Sequence, residues 1–376
     1  RQPEIGVSAE NRDVTLVAGA DFYANPELAP DGRLAWIEWN HPDMVWDAST
    51  LKVGRLSSDG GQLMDIVTVM DGHFDRGQSV SVQHPYWLAD GRLAFMCDIS
   101  GFWNLMVWDG AGLRAIHQDA CDFDGPAWTL GNTAYAQLDD ARVLGWFRED
   151  AMTYLASIDL RDGKVTRHGS FADVLCVAAE RGHGYAVVER PAAPAALVEL
   201  GARGGPSVLQ AAGPEPDADY VSLARSVTVG GQAGPVQAWY YPPANADYVG
   251  PRQQHPPLIV HPHSGPTSFA SNAYDPTVQF WTSRGFAYLV VNYSGSAGFG
   301  RAYRDRLRSR WGLLDVADCE EAARVMVDAG LADPGKLAVS GGSAGGYTVL
   351  RLLTTSHMFA AGVSMYGVAE LVGLQL

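Results

Sequence analysis

Cysteine is scarce in this chain: Cys97, Cys121, Cys176 and Cys319 are the only four in 376 residues. They are widely separated, show no C-x-x-C spacing and sit in apolar or mixed stretches, so they read as reduced, buried thiols and not as a disulfide framework. Basic charge is short as well. Lys and Arg number 27 against 42 Asp and Glu, a formal net charge of −15, which sets nucleic-acid binding aside unless a local basic patch overrides it. The nearest such patch is Arg301, Arg304, Arg306, Arg308 and Arg310, whose spacing fits the solvated side of a loop or helix. No window approaches the ~18 uninterrupted apolar residues of a membrane span, and the N-terminus lacks a basic-then-apolar leader pattern. The expectation is a soluble, cytoplasmic protein without a membrane or nucleic-acid partner. The chain begins at Arg1 and not Met, so an upstream leader stays open, as does a homo-oligomeric state.

Apolar residues are plentiful. They make up 47% of the chain, with 11 Trp and 42 Gly, which excludes disorder. The length exceeds the roughly 250–300 residues at which single cores stop growing, so two or more domains are expected. From Asp21 to about Ala211 a theme recurs: Leu28-Ala29-Pro30-Asp31-Gly32-Arg33-Leu34-Ala35-Trp36 is echoed by Trp87-Leu88-Ala89-Asp90-Gly91-Arg92-Leu93-Ala94-Phe95. Asp-Gly suits a tight hairpin turn because Gly accepts positive φ, and the alternation beyond it suits a half-buried strand. A weaker copy opens at Pro126-Ala127-Trp128 and turns at Gly131-Asn132, and further turns fall at Ser58-Asp59-Gly60-Gly61 and Arg161-Asp162-Gly163-Lys164. Copies about forty to sixty residues apart match propeller blades of four strands, with room for about four. Turn-punctuated short strands also describe a β-sandwich.

After Pro214-Glu215-Pro216-Asp217 the grammar changes. Val227–Val229 and Val236–Tyr241 read as a hairpin across Gly230-Gly231. Pro257–His261 and Phe286–Asn292 are continuous apolar runs, as in strands buried on both faces of a parallel sheet. Helical spacing appears from Tyr274 to Arg284 and again from Asp315, near an N-cap, to Gly330. Lys336–Ser340, Ala344–Leu353 and Ala360–Tyr366 then alternate strand, helix, strand. The fold class is an incomplete β-propeller over residues 1–217, followed by a doubly wound α/β domain, mostly parallel, over residues 218–376.

One motif carries chemistry. Gly341-Gly342-Ser343-Ala344-Gly345 is a G-x-S-x-G placed between a buried strand and a helix. Such an elbow needs a sharp turn that lifts the serine hydroxyl above the sheet edge, and small residues that let strand and helix approach. Ser343 is the expected nucleophile. The backbone N–H of Ala344 is one expected oxyanion donor. The second belongs on the loop after the Ile259-Val260-His261 strand, at Gly265 or alternatively Ser264. His263 and Ser264 are weak candidates for substrate contact. Nothing calls for a metal or an organic cofactor.

The chain order of such hydrolases is Ser, then Asp or Glu, then His. Beyond Ser343 the sequence holds no Asp, one Glu (Glu370) and one His (His357). His357 is a poor base at the end of its helix, and His261 and His263 lie on the oxyanion side. The acid and base are expected beyond residue 376.

Gly341–Tyr347, His263-Ser264-Gly265-Pro266-Thr267, Trp281–Phe286 and Asn292–Gly300 together resemble the acylaminoacyl-peptidase and dipeptidyl-peptidase branch of the prolyl oligopeptidase family. Asp21-Phe22-Tyr23, Trp39-Asn40-His41-Pro42 and Gly101–Leu105 resemble its blades. The resemblance implies a propeller capping an α/β-hydrolase domain, with peptide hydrolysis through an acyl-enzyme on Ser343 and large folded substrates excluded. The family usually shows His-Gly-Gly-Pro where this chain has His263-Ser264-Gly265-Pro266. Its members also extend further at both ends. Short peptides are therefore the expected substrates, with an esterase or amidase acting on a peptide-like small molecule, or a non-catalytic binding module, as alternatives.

Overall fold

The computed structural model describes residues 5–9, 12–73, 78–129, 131–201, 205–251 and 253–370. Four consecutive antiparallel sheets, each of four strands in chain order, form propeller blades. The first comprises Phe22–Leu28, Arg33–Trp39, Thr50–Leu56 and Leu63–Met70. Blade two runs from Val82–Trp87 to Leu113–Ala115, blade three from Tyr135–Gln137 to Val165–Phe171, and blade four from Asp173–Glu180 to Ser207–Ala211. A further two-stranded ribbon, Ile5–Ala9 with Arg12–Val17, precedes them.

Period-two alternation explains how blades stack. In the wholly buried strand Leu93–Cys97, Leu93 and Phe95 join Ile37, Leu51 and Val53 of blade one. Ala94 and Met96, on the opposite face, join Val143 and Phe147 of blade three. Leu144 and Trp146 then meet Val174 and Val188 of blade four. Asp31-Gly32 and Asp90-Gly91 do turn the first hairpins of blades one and two, with Gly32 at φ +85° and Gly91 at +84°. Gly131-Asn132 does not turn a blade hairpin. Blade three starts at Tyr135, and its first hairpin turns where the Asp139 carboxylate accepts from the Ala141 N–H. Residues 126–129 and 131–133 instead lie between the strands of blades two and three.

The second half is one six-stranded sheet. In chain order its strands are β1 (Arg225–Gly231), β2 (Gly234–Tyr241), β3 (Leu258–Pro262), β4 (Ala287–Asn292), β5 (Leu337–Gly342) and β6 (Ala361–Met365). They lie in the order β1-β2-β4-β3-β5-β6, antiparallel up to the β2–β4 pair and parallel thereafter. The helices are α1 (Pro276–Thr282), the short α2 (Arg301–Arg304), α3 (Leu314–Asp328) and α4 (Ser343–Thr355). Asp275 caps α1 through the Thr277 N–H, with Pro276 at its first position, so α1 begins later than the apolar spacing suggests. Residues of α3 and α4 cover one face of the sheet. Val278 and Trp281 of α1 cover the other, together with Ala151 and Met152 of the propeller.

Asp315 stands near the start of α3, as its place before the apolar run suggests. It lies inside the first turn of α3, fully buried, where one oxygen accepts from the Gly312 N–H at 2.7 Å and the other from the Thr348 hydroxyl at 2.5 Å. Burial raises its pKa, against the lowering effect of those hydrogen bonds. The result pins α3 to α4 one turn beyond Ser343.

The arginine patch is a solvated face only in part: Arg308 and Arg310 are exposed, whereas Arg301 and Arg304 turn inward. Arg301 and Arg304 both reach Asp98 of the propeller, at 2.6 and 2.8 Å, and Asp98 is 2% exposed. Arg304 also lies over the Trp103 ring at 4.1 Å, and Arg308 pairs with Asp47 at 2.9 Å. Asp122 bridges the same seam, accepting from Trp103 N–H on one side and Gly300 N–H on the other.

Candidate active site

Ser343 is the first residue of α4, immediately after β5, and its φ is +53°. A non-glycine residue held there is strained, which is the expected state of a serine lifted out of a strand-to-helix turn. The neighbouring glycines show why the turn can exist. A Cβ on Gly345 would stand 2.2 Å from the Pro262 carbonyl oxygen, and one on Gly341 would stand 2.8 Å from the Gly345 backbone. Backbone cannot yield as a side chain can, so α4, β5 and the end of β3 meet only without side chains at these positions. Gly342 is less constrained, because its neighbour at 2.9 Å is the ring of Tyr366, itself 79% exposed.

The Ala344 N–H lies in the first turn of α4, among the donors a helix leaves unpaired and at its positive end. Gly265 sits in the loop after β3 with φ +67°, and that loop is tied to the elbow by the Ser264 hydroxyl, which donates to the Gly342 carbonyl at 3.0 Å. Ser264 is thereby part of the framework. His263 is too: it is 6% exposed, stacks on Tyr293 at 4.3 Å, and has Nε2 2.7 Å from the Ser296 hydroxyl and Nδ1 3.0 Å from the Ser264 carbonyl. Burial pushes its pKa down to about 4, so the ring is neutral near pH 7. Tyr293 returns a hydrogen bond to the His263 carbonyl at 3.0 Å, and Asp318 of α3 accepts from the Ser294 N–H. The Asn292–Gly300 stretch thus braces the loop that carries Gly265.

No side chain among the described residues hydrogen-bonds the Ser343 hydroxyl. His357 is exposed beyond the far end of α4, about 18 Å away along a 13-residue helix. His261 lies 3.1 Å from the Tyr288 hydroxyl through Nδ1, and burial lowers its pKa.

Residues 272–376 match the model of the prolyl oligopeptidase family. A puromycin-hydrolyzing peptidase from Mycobacterium tuberculosis superposes on 96% of this chain with a TM-score of 0.89 and 34% identity. The likeness of this chain is to the prolyl oligopeptidase family. It spans 56% of that peptidase, and 55% of a puromycin hydrolase with which it shares 32% identity and a TM-score of 0.90, again over 96% of this chain. Dipeptidyl aminopeptidase BIII of Pseudoxanthomonas mexicana is 34% identical over 129 residues, 34% of this chain and 19% of that enzyme. The chain therefore spans about half the length of the family structures it matches and a smaller share of its curated relatives. Sequence reasoning missed two features of this chain. One is the Asp98–Arg301–Arg304 seam, which had no local signal. The other is the Ser264 tether, visible only as the departure from His-Gly-Gly-Pro.

Proposed function

We propose that the chain is the greater part of a serine peptidase that hydrolyses peptide bonds of short peptides through an acyl-enzyme on Ser343. The observation that carries this reading is the positive-φ serine at the head of α4, with backbone packed against backbone at Gly341 and Gly345. In the proposed reaction the Ser343 oxygen attacks the substrate carbonyl. The oxyanion is held by the N–H groups of Ala344 and Gly265, the C–N bond breaks, and the hydroxyl proton passes through a histidine to the leaving amine. Water then releases the acyl group. We assign the histidine and its carboxylate partner to polypeptide outside the described residues, because His261, His263 and His357 are otherwise engaged or remote.

We divide the chain at 217/218, between blade four and the sheet that carries the elbow. A propeller set over the elbow favours short substrates over folded ones. A second reading, an amidase for a peptide-like small molecule, is favoured by the likeness to puromycin-hydrolyzing enzymes. Free cysteines at all four positions suit a cytoplasmic site of action, which subcellular fractionation tests.

The test of the activity is fluorophosphonate labelling of the full-length protein, followed by hydrolysis assays on short peptides, puromycin and a folded protein. One adduct on Ser343, lost in Ser343→Ala, with turnover of short peptides, is expected. Labelling elsewhere, or none, would overturn the assignment.

A further inference from the structure

Residues 126–129, after the last strand of blade two, belong to no blade, yet they bring an aromatic side chain to the elbow's supporting loop. Trp128 is 46% exposed, unusual for so large an apolar group beside a domain interface. Its ring edge lies 3.4 Å from where a Cβ on Gly265 would stand. Gly265 in turn belongs to the loop bound to Gly342 through Ser264, so Trp128 sits one loop away from Ser343. The ring is not loose. Trp46, 4% exposed, backs it at 4.3 Å, and the Trp46 carbonyl is itself held by Arg304 at 3.2 Å.

In front of Trp128 is an open cavity of about 230 Å³, also lined by Trp146, Arg148, Ser268 and Phe269. On its wall the Arg148 guanidinium lies 4.5 Å from the Trp146 ring and 4.4 Å from the Phe269 ring, with Asp173 holding its Nη2 at 2.6 Å. A cavity of about 150 Å³ accommodates benzene, so this one has room for a single aromatic side chain. Flat rings prefer stacked or edge-on partners at such distances. An aromatic side chain gains this ring contact in addition to the area it buries, which an aliphatic one also gains.

We propose that Trp128 is a specificity-determining residue: its indole is the platform on which an aromatic side chain of the substrate, next to the scissile bond, is recognised. The proposal rests on Ser343 being the nucleophile. It assigns selectivity to a propeller connection, outside the domain that carries the elbow.

The test compares phenylalanyl and alanyl amidomethylcoumarins with the full-length enzyme and its Trp128→Ala and Trp128→Phe variants. Trp128→Ala should lower the phenylalanyl-to-alanyl ratio of kcat/KM by about tenfold, through KM. Trp128→Phe should retain most of the ratio. Equal losses on both substrates, or an unchanged ratio, would overturn it. Calorimetric binding of phenylalaninamide and alaninamide to the Ser343→Ala protein gives a readout independent of turnover. If neither substrate is hydrolysed but phenylalaninamide binds in a Trp128-dependent way, the platform stands and the peptidase reading falls. If phenylalaninamide binds no better than alaninamide, the platform is wrong whatever the chemistry.

Discussion

The elbow and the domain seam solve the problem of close approach in different currencies. At the elbow, strand, helix and loop meet backbone to backbone at Gly341 and Gly345, and glycine makes the contact possible. Along the seam, glycine at 300 also lets backbone approach Gly101 and Phe102, but charge does the holding: Asp98 on two arginines, Asp122 on two N–H groups. A steric contact fails when anything is added. A buried ionic contact fails when something is removed. The two regions are therefore expected to break under opposite kinds of substitution.

The largest effect belongs to Gly345→Ala. Its methyl would meet the Pro262 carbonyl oxygen at 2.2 Å, so β3 and α4 must separate. Fluorophosphonate labelling of Ser343 should fall by about a hundredfold, with a stability loss of about 3 kcal/mol. Labelling at the native rate would mean that the elbow tolerates bulk and the contrast is false.

Asp98→Ala comes next. It leaves the Arg301 and Arg304 guanidiniums buried without their shared carboxylate, and removing one partner of such a set costs about 3–5 kcal/mol. The urea midpoint should drop accordingly, while protein that remains folded still labels at Ser343. Equal loss of labelling in both variants would merge the two regions into one.

Legibility follows the same division. The elbow's partners are close in sequence, Gly341 and Gly345 flanking Ser343, so the G-x-S-x-G spacing and the apolar strand before it were enough to locate it. The seam joins residues 206 positions apart, Asp98 and Arg304, and no local pattern distinguishes a buried arginine from a solvated one. That is why Arg301 and Arg304 read as part of the same surface as the exposed Arg308 and Arg310. The blades were legible where Asp-Gly turned a hairpin and failed at Gly131, because a positive-φ glycine turns a connecting loop as readily as a hairpin. Asp315 was legible in its place near the start of α3 but not in its partner. An acidic residue before an amphipathic run signals a cap, and nothing local reveals a threonine on another helix as its partner.

A smaller effect belongs to Asp122 and depends on pH. Burial, the largest influence, raises the Asp122 pKa to about 6, against the lowering pull of the Gly300 and Trp103 N–H groups and of Arg304 and Arg148. A carboxyl with a folded pKa above its unfolded value binds its proton more tightly when folded. Its stabilising contribution is thus complete below about pH 4 and lost as pH rises through about 6. Asp315 and Asp318 are shifted in the same direction, so the informative quantity is the difference from Asp122→Asn. Between pH 7 and pH 5 the native protein should gain about 1 kcal/mol relative to that variant, read from unfolding curves. A parallel pH response would show that Asp122 is charged throughout.

The smallest effect is expected of Ser264→Gly, and it sharpens the contrast most finely. Glycine there produces the His-Gly-Gly-Pro pattern and adds no bulk, so the steric fit of the elbow is untouched. What disappears is the hydroxyl's 3.0 Å bond to the Gly342 carbonyl, together with some restriction of the unfolded chain, a stability loss of about 1 kcal/mol. If Gly265 donates to the oxyanion, loosening its loop should slow Ser343 phosphonylation severalfold with little change in the urea slope. An unchanged rate would mean that the loop is positioned by His263 and its stack on Tyr293 alone, and that Ser264 is no more than a local tether.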